Sequence, residues 1–184
     1  MVLPIYLYGS EVLREKAVPA DLSDKERITK LVADMEETLA KAEGCGLAAP
    51  QVGESVRILI VDGTGMADIY PYLDNFKRVM INPVVIEESA RKATYSEGCL
   101  SIPGVYCDVV RPESMTVEYY DANFEKVTET FDKFGCRMVQ HEMSHLDGVL
   151  FTDLVPPIRK KMLFNKLHGI SKGKVSPRYK YKLK

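Results

Sequence analysis

The sequence predicts an α+β fold, with mixed or antiparallel sheets packed around a central helix that carries His141-Glu-x-x-His145. Two observations carry this. Strand-like runs fill the middle of the chain between helical segments, with no βαβ alternation. The 184 residues, 46% hydrophobic and 28% charged, have globular composition and the length of one ordinary domain able to bury a core without disulfides. The expectation is one catalytic domain, residues 1–184, ending in a basic tail of about residues 171–184.

The elements follow in order. Ser23-Asp-Lys-Glu26 fits a capping box, with the serine and glutamate side chains each satisfying a free backbone N–H. Ile28, Leu31, Val32, Met35 and Leu39 then recur at helical spacing, and Gly44 follows as a stop. Residues 57–61 and 79–86 read as short buried strands, the second broken by Pro83. Residues 115–120 and 126–131 read as strands joined by a turn around Asp121-Ala-Asn123. A second helix is expected from about residue 132 to 146, with Gly148 just past its end. A weaker third begins near Pro157 and fades around His168-Gly169.

Several classes are excluded. No apolar run approaches the ~20 residues of a membrane helix. The N-terminal residues lack a basic region, a long apolar stretch and a cleavage site, so no signal peptide is expected and a cytoplasmic location is. Cys45, Cys99, Cys107 and Cys136 show no CxxC pairing, and reduced thiols are the expectation. The net charge of −1 is unevenly spread. Ten of the 25 basic residues lie in residues 159–184 and no acidic residue follows Asp153, so residues 1–158 hold 15 basic against 26 acidic residues, a net −11. Such a tail suits a polyanion such as RNA, or else is a solvated, partly disordered terminus.

Chemistry concentrates in Gln140-His-Glu-Met-Ser-His-Leu-Asp-Gly148. Side chains four apart share a helix face, so His141 and His145 present two imidazoles to one point, as a metal requires. Glu142 sits beside the first, placed to shuttle a proton from water to a leaving group. A catalytic metal of this kind takes three protein ligands and keeps one position open. No glutamate follows Glu142, and Phe151 stands where an extended zinc-protease pattern needs histidine. Downstream, Asp153 and His168 remain; upstream, a thiolate would serve. Cys99, in Tyr95-Ser-Glu-Gly-Cys-Leu-Ser-Ile-Pro-Gly104, is the strongest thiol candidate, with Pro103-Gly104 ending the segment in a turn, while Cys45, Cys107 and Cys136 read as buried apolar residues. Gly44-Cys-Gly-Leu-Ala-Ala-Pro-Gln51 reads as a tight turn allowing close backbone approach, ending in an amide able to donate to an oxyanion. It lacks the spacing and terminal Lys-Ser/Thr of a phosphate loop, so no nucleotide cofactor is expected.

Together Gly44-x-Gly-Leu-Ala-Ala-Pro-Gln51, Glu97-Gly-Cys-Leu-Ser101 and Gln140-His-Glu-x-x-His145 resemble, in order and separation, the three motifs of the peptide deformylase family. Tyr8-Gly-Ser-Glu-Val-Leu-Arg14 is similar to that family's opening, so the resemblance spans about residues 4–150. The resemblance implies removal of formyl from the N-terminal formylmethionine of nascent polypeptides, releasing formate. It implies Cys99, His141 and His145 as ligands of Fe²⁺, with Zn²⁺, Ni²⁺ or Co²⁺ as substitutes. Glu142 would be the acid/base, and Gln51 with the Leu100 N–H would stabilise the oxyanion. Gly44, Cys45, Gly46, Glu97, Gly98 and Met138 would contact substrate, and Glu97 would also brace the site by pairing with Arg111. A C-terminal extension docks on the ribosome in bacterial relatives, which the basic tail would suit. Two positions depart from the pattern. Ser144 stands where Asp is usual, losing any ion pair made there, and Tyr106 stands where some members carry arginine. The alternatives are another His-Glu-x-x-His metallopeptidase, or a non-catalytic RNA-binding module whose metal is structural and closed by a fourth protein ligand.

Overall fold

The computed structural model describes residues 1–184. Its elements are β1 (Ile5–Tyr6), α1 (Lys25–Ala42), β2 (Gly46–Ala48), β3 (Ile58–Asp62), β4 (Lys77–Glu88), β5 (Lys92–Cys99), β6 (Ile102–Pro112), β7 (Ser114–Tyr120), β8 (Lys126–Asp132), α2 (Lys133–Leu146), α3 (Pro157–Ser171) and β9 (Tyr181–Lys182), with short 3₁₀ turns between. Five strands form an antiparallel sheet in the order β2-β3-β4-β7-β8. β5 and β6 form a separate antiparallel hairpin, and β1 pairs in parallel with β9. The α+β expectation, with antiparallel and mixed pairing, holds.

The first helix starts later than the capping box predicts. Asp24 is the cap, accepting from the Arg27 N–H at 3.3 Å, while the Ser23 hydroxyl turns back to Asp21. Both arrangements satisfy a free N–H, and the closer carboxylate wins. At the other end Glu43, not Gly44, takes the left-handed conformation (φ 55°). Ile28, Val32, Met35 and Leu39 are buried as their spacing requires, each contributing about 1.5–3 kcal/mol. They pack with Ile58 and Ile60, whereas Leu59 and Val61 pack with Val139, Met143 and Leu146 of α2. β3 is thus covered on both faces, which is why it reads as a continuous apolar run rather than an alternating one.

Two strand expectations need correction. Pro83 does not break its strand. β4 runs through it with a register shift between Ile81 and Val84, and Asn82 adopts a positive φ of 52°. The Asn82 amide exchanges hydrogen bonds with Ala20 at 2.7 and 3.0 Å, which fixes the bulge. Beyond it Val84, Val85 and Ile86 face solvent, not the core. The β5–β6 hairpin is absent from the sequence reading. Its turn is Leu100-Ser101, and Pro103-Gly104, expected to form a turn, lies inside β6. In β6 Val105, Cys107, Val109 and Arg111 point inward while Tyr106 and Val110 are exposed, so apolar residues on both faces blur the period-two signal.

α2 has the predicted extent and lies between the sheet and the hairpin. Gly148 follows it with φ 71°, where a Cβ would stand 2.5 Å from the Arg14 carbonyl oxygen, so glycine is required. Eleven of its 14 residues are buried, which makes it the enclosed central helix that was expected. α3 continues past Gly169 to Ser171. The remaining tail folds back. Val175, Tyr179 and Leu183 pack onto the core, and the neighbouring Lys174, Arg178, Lys180, Lys182 and Lys184 are exposed. The partly disordered terminus is therefore replaced by an extended segment with one apolar and one basic face.

Candidate metal centre

α2 carries His141 and His145 one turn apart, and the hairpin brings Cys99 to them. The ligand atoms of Cys99, His141 and His145 all lie within 4.8 Å of one another, with Cys99 Sγ 3.3 Å from His145 Nε2. His141 Nδ1 meets Glu97 Oε1 at 2.7 Å, which leaves Nε2 as its free ring nitrogen. A thiol and two imidazoles converging this tightly have the donor set and spacing of a divalent transition-metal site. Neither downstream candidate joins them. Asp153 pairs with Arg14 just past the C-terminal end of α2, and the His168 ring stacks on Phe164 on α3.

Glu97 is the hub that orients the cluster. It is 4% exposed and accepts from Arg111 Nε (2.8 Å) and Nη2 (2.9 Å), Arg137 Nη1 (3.2 Å) and His141. Burial alone would raise this carboxyl, but His141 and Arg111 outweigh it and hold the value at about 2. Both oxygens of its carboxylate are engaged in bracing. Arg111 Nη1 also donates to the Ser144 hydroxyl (2.8 Å), which in turn donates to the Gln140 carbonyl (3.0 Å). The serine thus keeps a hydrogen bond where only loss of an ion pair was expected. Arg137 was missed in the sequence. Its position, one helical turn before His141, was the available signal.

Glu142 faces the centre from the same turn of α2. It is 5% exposed, its Oε2 has no protein partner, and burial pushes the carboxyl up to about 7 against the pull of His141. Gly46 makes room for it, since a Cβ there would lie 2.4 Å from Glu142 Oε1. Gln51 is held in a short 3₁₀ turn. Its Oε1 accepts from the Ala48 N–H (2.9 Å), and its Nε2 donates to Ser101 Oγ (3.1 Å) and lies 3.5 Å from Cys99 Sγ. Cys45 also faces the cleft, with burial pushing its thiol up to about 11, and it stands outside the converging cluster of Cys99, His141 and His145. Gly44, Gly98, Leu100 and Met138 line the same open cleft of about 910 Å³. Gly98 permits the Tyr106 ring to pack against the strand, where a Cβ would come within 2.5 Å. Pro177 and Tyr179 of the tail, which no motif covered, form another wall.

The family model for polypeptide deformylase matches residues 2–161. A peptide deformylase of Christiangramia forsetii is 43% identical, over 98% of this chain and 95% of its own length. One from Chlorobaculum parvum is 44% identical, over 97% of this chain and 93% of its own. Among solved structures, peptide deformylase from Thermus thermophilus superposes with a TM-score of 0.83 at 37% identity, covering 94% of this chain and 99% of that one. The match to the Legionella pneumophila enzyme has a TM-score of 0.82 at 32% identity, covering 95% and 98%. With a family match across most of its length and such relatives on either side, this chain belongs to the polypeptide deformylase family.

Proposed function

We propose that this chain carries out the family's reaction, hydrolysis of the N-formyl group from formylmethionyl nascent peptides, with the cleft residues in the following roles. Cys99, His141 and His145 hold a divalent metal, Fe²⁺ by preference with Zn²⁺, Ni²⁺ or Co²⁺ able to replace it. That metal, when bound, supplies Lewis-acid polarisation and a water of lowered pKa. Glu142 takes a proton from the attacking water and returns it to the methionyl amine as the C–N bond breaks and formate leaves. A buried carboxyl held near 7 is suited to both halves of that transfer. Gln51 Nε2 and the Leu100 N–H donate to the tetrahedral oxyanion, and Glu97, Arg111 and Arg137 fix the His141 ring. Gly44, Cys45, Gly46, Gly98 and Met138 contact the substrate. The chain works in the cytoplasm as one catalytic domain, and the exposed basic face of its C-terminal segment contacts the ribosome.

The convergence of one thiol and two imidazoles beside an unpartnered carboxylate carries the reading. Another His-Glu-x-x-His metallopeptidase is not favoured, because the relatives at about 40% identity are deformylases. The test is formate release from formyl-Met-Ala-Ser by anaerobically purified protein, beside a casein digest. Glu142→Ala is expected to retain metal and lose about 10²–10⁴-fold in turnover. Casein cleavage without formate release would reject the reading. For the ribosome contact, exchanging Lys174, Arg178, Lys180 and Lys184 for Ser should weaken co-sedimentation in a salt-dependent way, and undiminished binding would refute it.

A further inference from the structure

The tight connection between β5 and β6 holds the Cys99 thiol at the centre and, on the deformylase reading, supplies the Leu100 N–H as oxyanion donor, yet it is not self-locking. Cys99 pairs with Ile102, leaving Leu100 and Ser101 as a two-residue loop, and neither takes the positive φ of the turns that match strand twist. A register irregularity lies just before it, between Glu97 and Cys99. Three segments distant in the chain hold the loop from outside. The Tyr8 N–H donates to the Ser101 carbonyl at 2.8 Å, Gln51 Nε2 donates to Ser101 Oγ, and the Tyr179 hydroxyl donates to the Leu100 carbonyl at 2.6 Å.

The third clamp is built into the fold. Tyr179 lies between two anchors, α3 on one side and the β9–β1 pairing on the other, with Val175 and Leu183 seated against the core. The Ile5 N–H donates to the Lys180 carbonyl and the Leu7 N–H to the Lys182 carbonyl, both at 2.9 Å, so the segment carrying Tyr179 also ties to the strand that leads into Tyr8. The phenol is half-buried and its ring forms part of the cleft wall. An oxyanion donor must be held to within about 0.5 Å of its working position to be effective.

Resting on the deformylase reading, we propose that Tyr179 of the C-terminal segment is a positioning residue for the reaction, its hydroxyl fixing the Leu100 loop so that the Leu100 N–H is pre-aimed at the oxyanion. Catalysis in this chain therefore depends on a tail that lies outside all three motifs. Tyr179→Phe removes the hydroxyl and keeps the ring, the wall and the packing. Steady-state kinetics on formyl-Met-Ala-Ser, with metal content and thermal midpoint measured on the same samples, are the test. The expected result is a kcat lowered about tenfold per bound metal, with KM changed less than twofold and the midpoint close to that of the parent. That split is the signature of lost transition-state alignment, since a merely structural loss would lower the midpoint or the metal content instead. An unchanged kcat, or one that falls only in proportion to lost metal, overturns the proposal. A parent protein that releases no formate would instead refute the deformylase reading itself.

Discussion

Replacing Glu97 by glutamine tests the bracing hub. The substitution keeps the shape and removes one negative charge from a site where Glu97, Arg111 and Arg137 are 4%, 8% and 2% exposed. Two guanidiniums then lose their only carboxylate partner, and the new amide turns an N–H₂ toward donors. Removing one member of a buried ion pair costs about 3–5 kcal/mol, a large share of the 5–15 kcal/mol typical of a domain. In a chain of this length that corresponds to a drop of roughly 6–20 °C in the thermal midpoint. His141 is left with a neutral amide oxygen in place of the carboxylate acceptor at 2.7 Å that fixes its ring, and weakening such a partner lowers metal affinity by up to about 10–100-fold. Thermal unfolding monitored by circular dichroism, with and without added metal, gives the first quantity, and competition against a chromogenic chelator gives the second. The reasoning fails if the variant melts within 2 °C of the parent and binds metal equally well.

Three further outcomes are expected. Gly46→Ala should reduce kcat by at least about tenfold while leaving metal content near normal, because the methyl occupies the place of Glu142 Oε1 and displaces the proton shuttle; full activity would show that the carboxylate has slack the structure does not suggest. Ser144→Asp should raise the thermal midpoint by a few degrees, since it adds a second carboxylate beside Arg111 in a cluster holding two guanidiniums against Glu97; a lower midpoint would mean that desolvation exceeds the gain. Stripping metal with a chelator should lower the midpoint, reversibly on re-addition, by an amount that grows with metal concentration; this shift should vanish in Cys99→Ser if the thiolate is a ligand.

Much of the site was legible because its chemistry is local. His141, Glu142 and His145 share one helical turn, so their mutual geometry follows from the helix period, and Gly44–Gln51 needs only a short turn to present its amide. The fold class was legible for a similar reason, as β3 is a compact apolar run and β7 and β8 are short runs rich in β-branched and aromatic residues. The β5–β6 hairpin was not, because Tyr106 and Val110 place apolar groups on its exposed face and Pro103-Gly104 imitates a stop. The same limit hid the bulge at Asn82, whose partner Ala20 is 62 residues away.

The sequence by itself determined which residues could hold a metal and move a proton, since donor type and helical spacing are properties of the chain. Only the tertiary structure decided how they are held. The Glu97–Arg111–Arg137 hub, the Ser144 hydrogen bond and the clamp from Tyr179 to Leu100 each join segments separated by 14 to 79 residues along the chain. No periodicity encodes such contacts. They exist because burial in a shared core brings those segments together and obliges each buried polar group to find a partner.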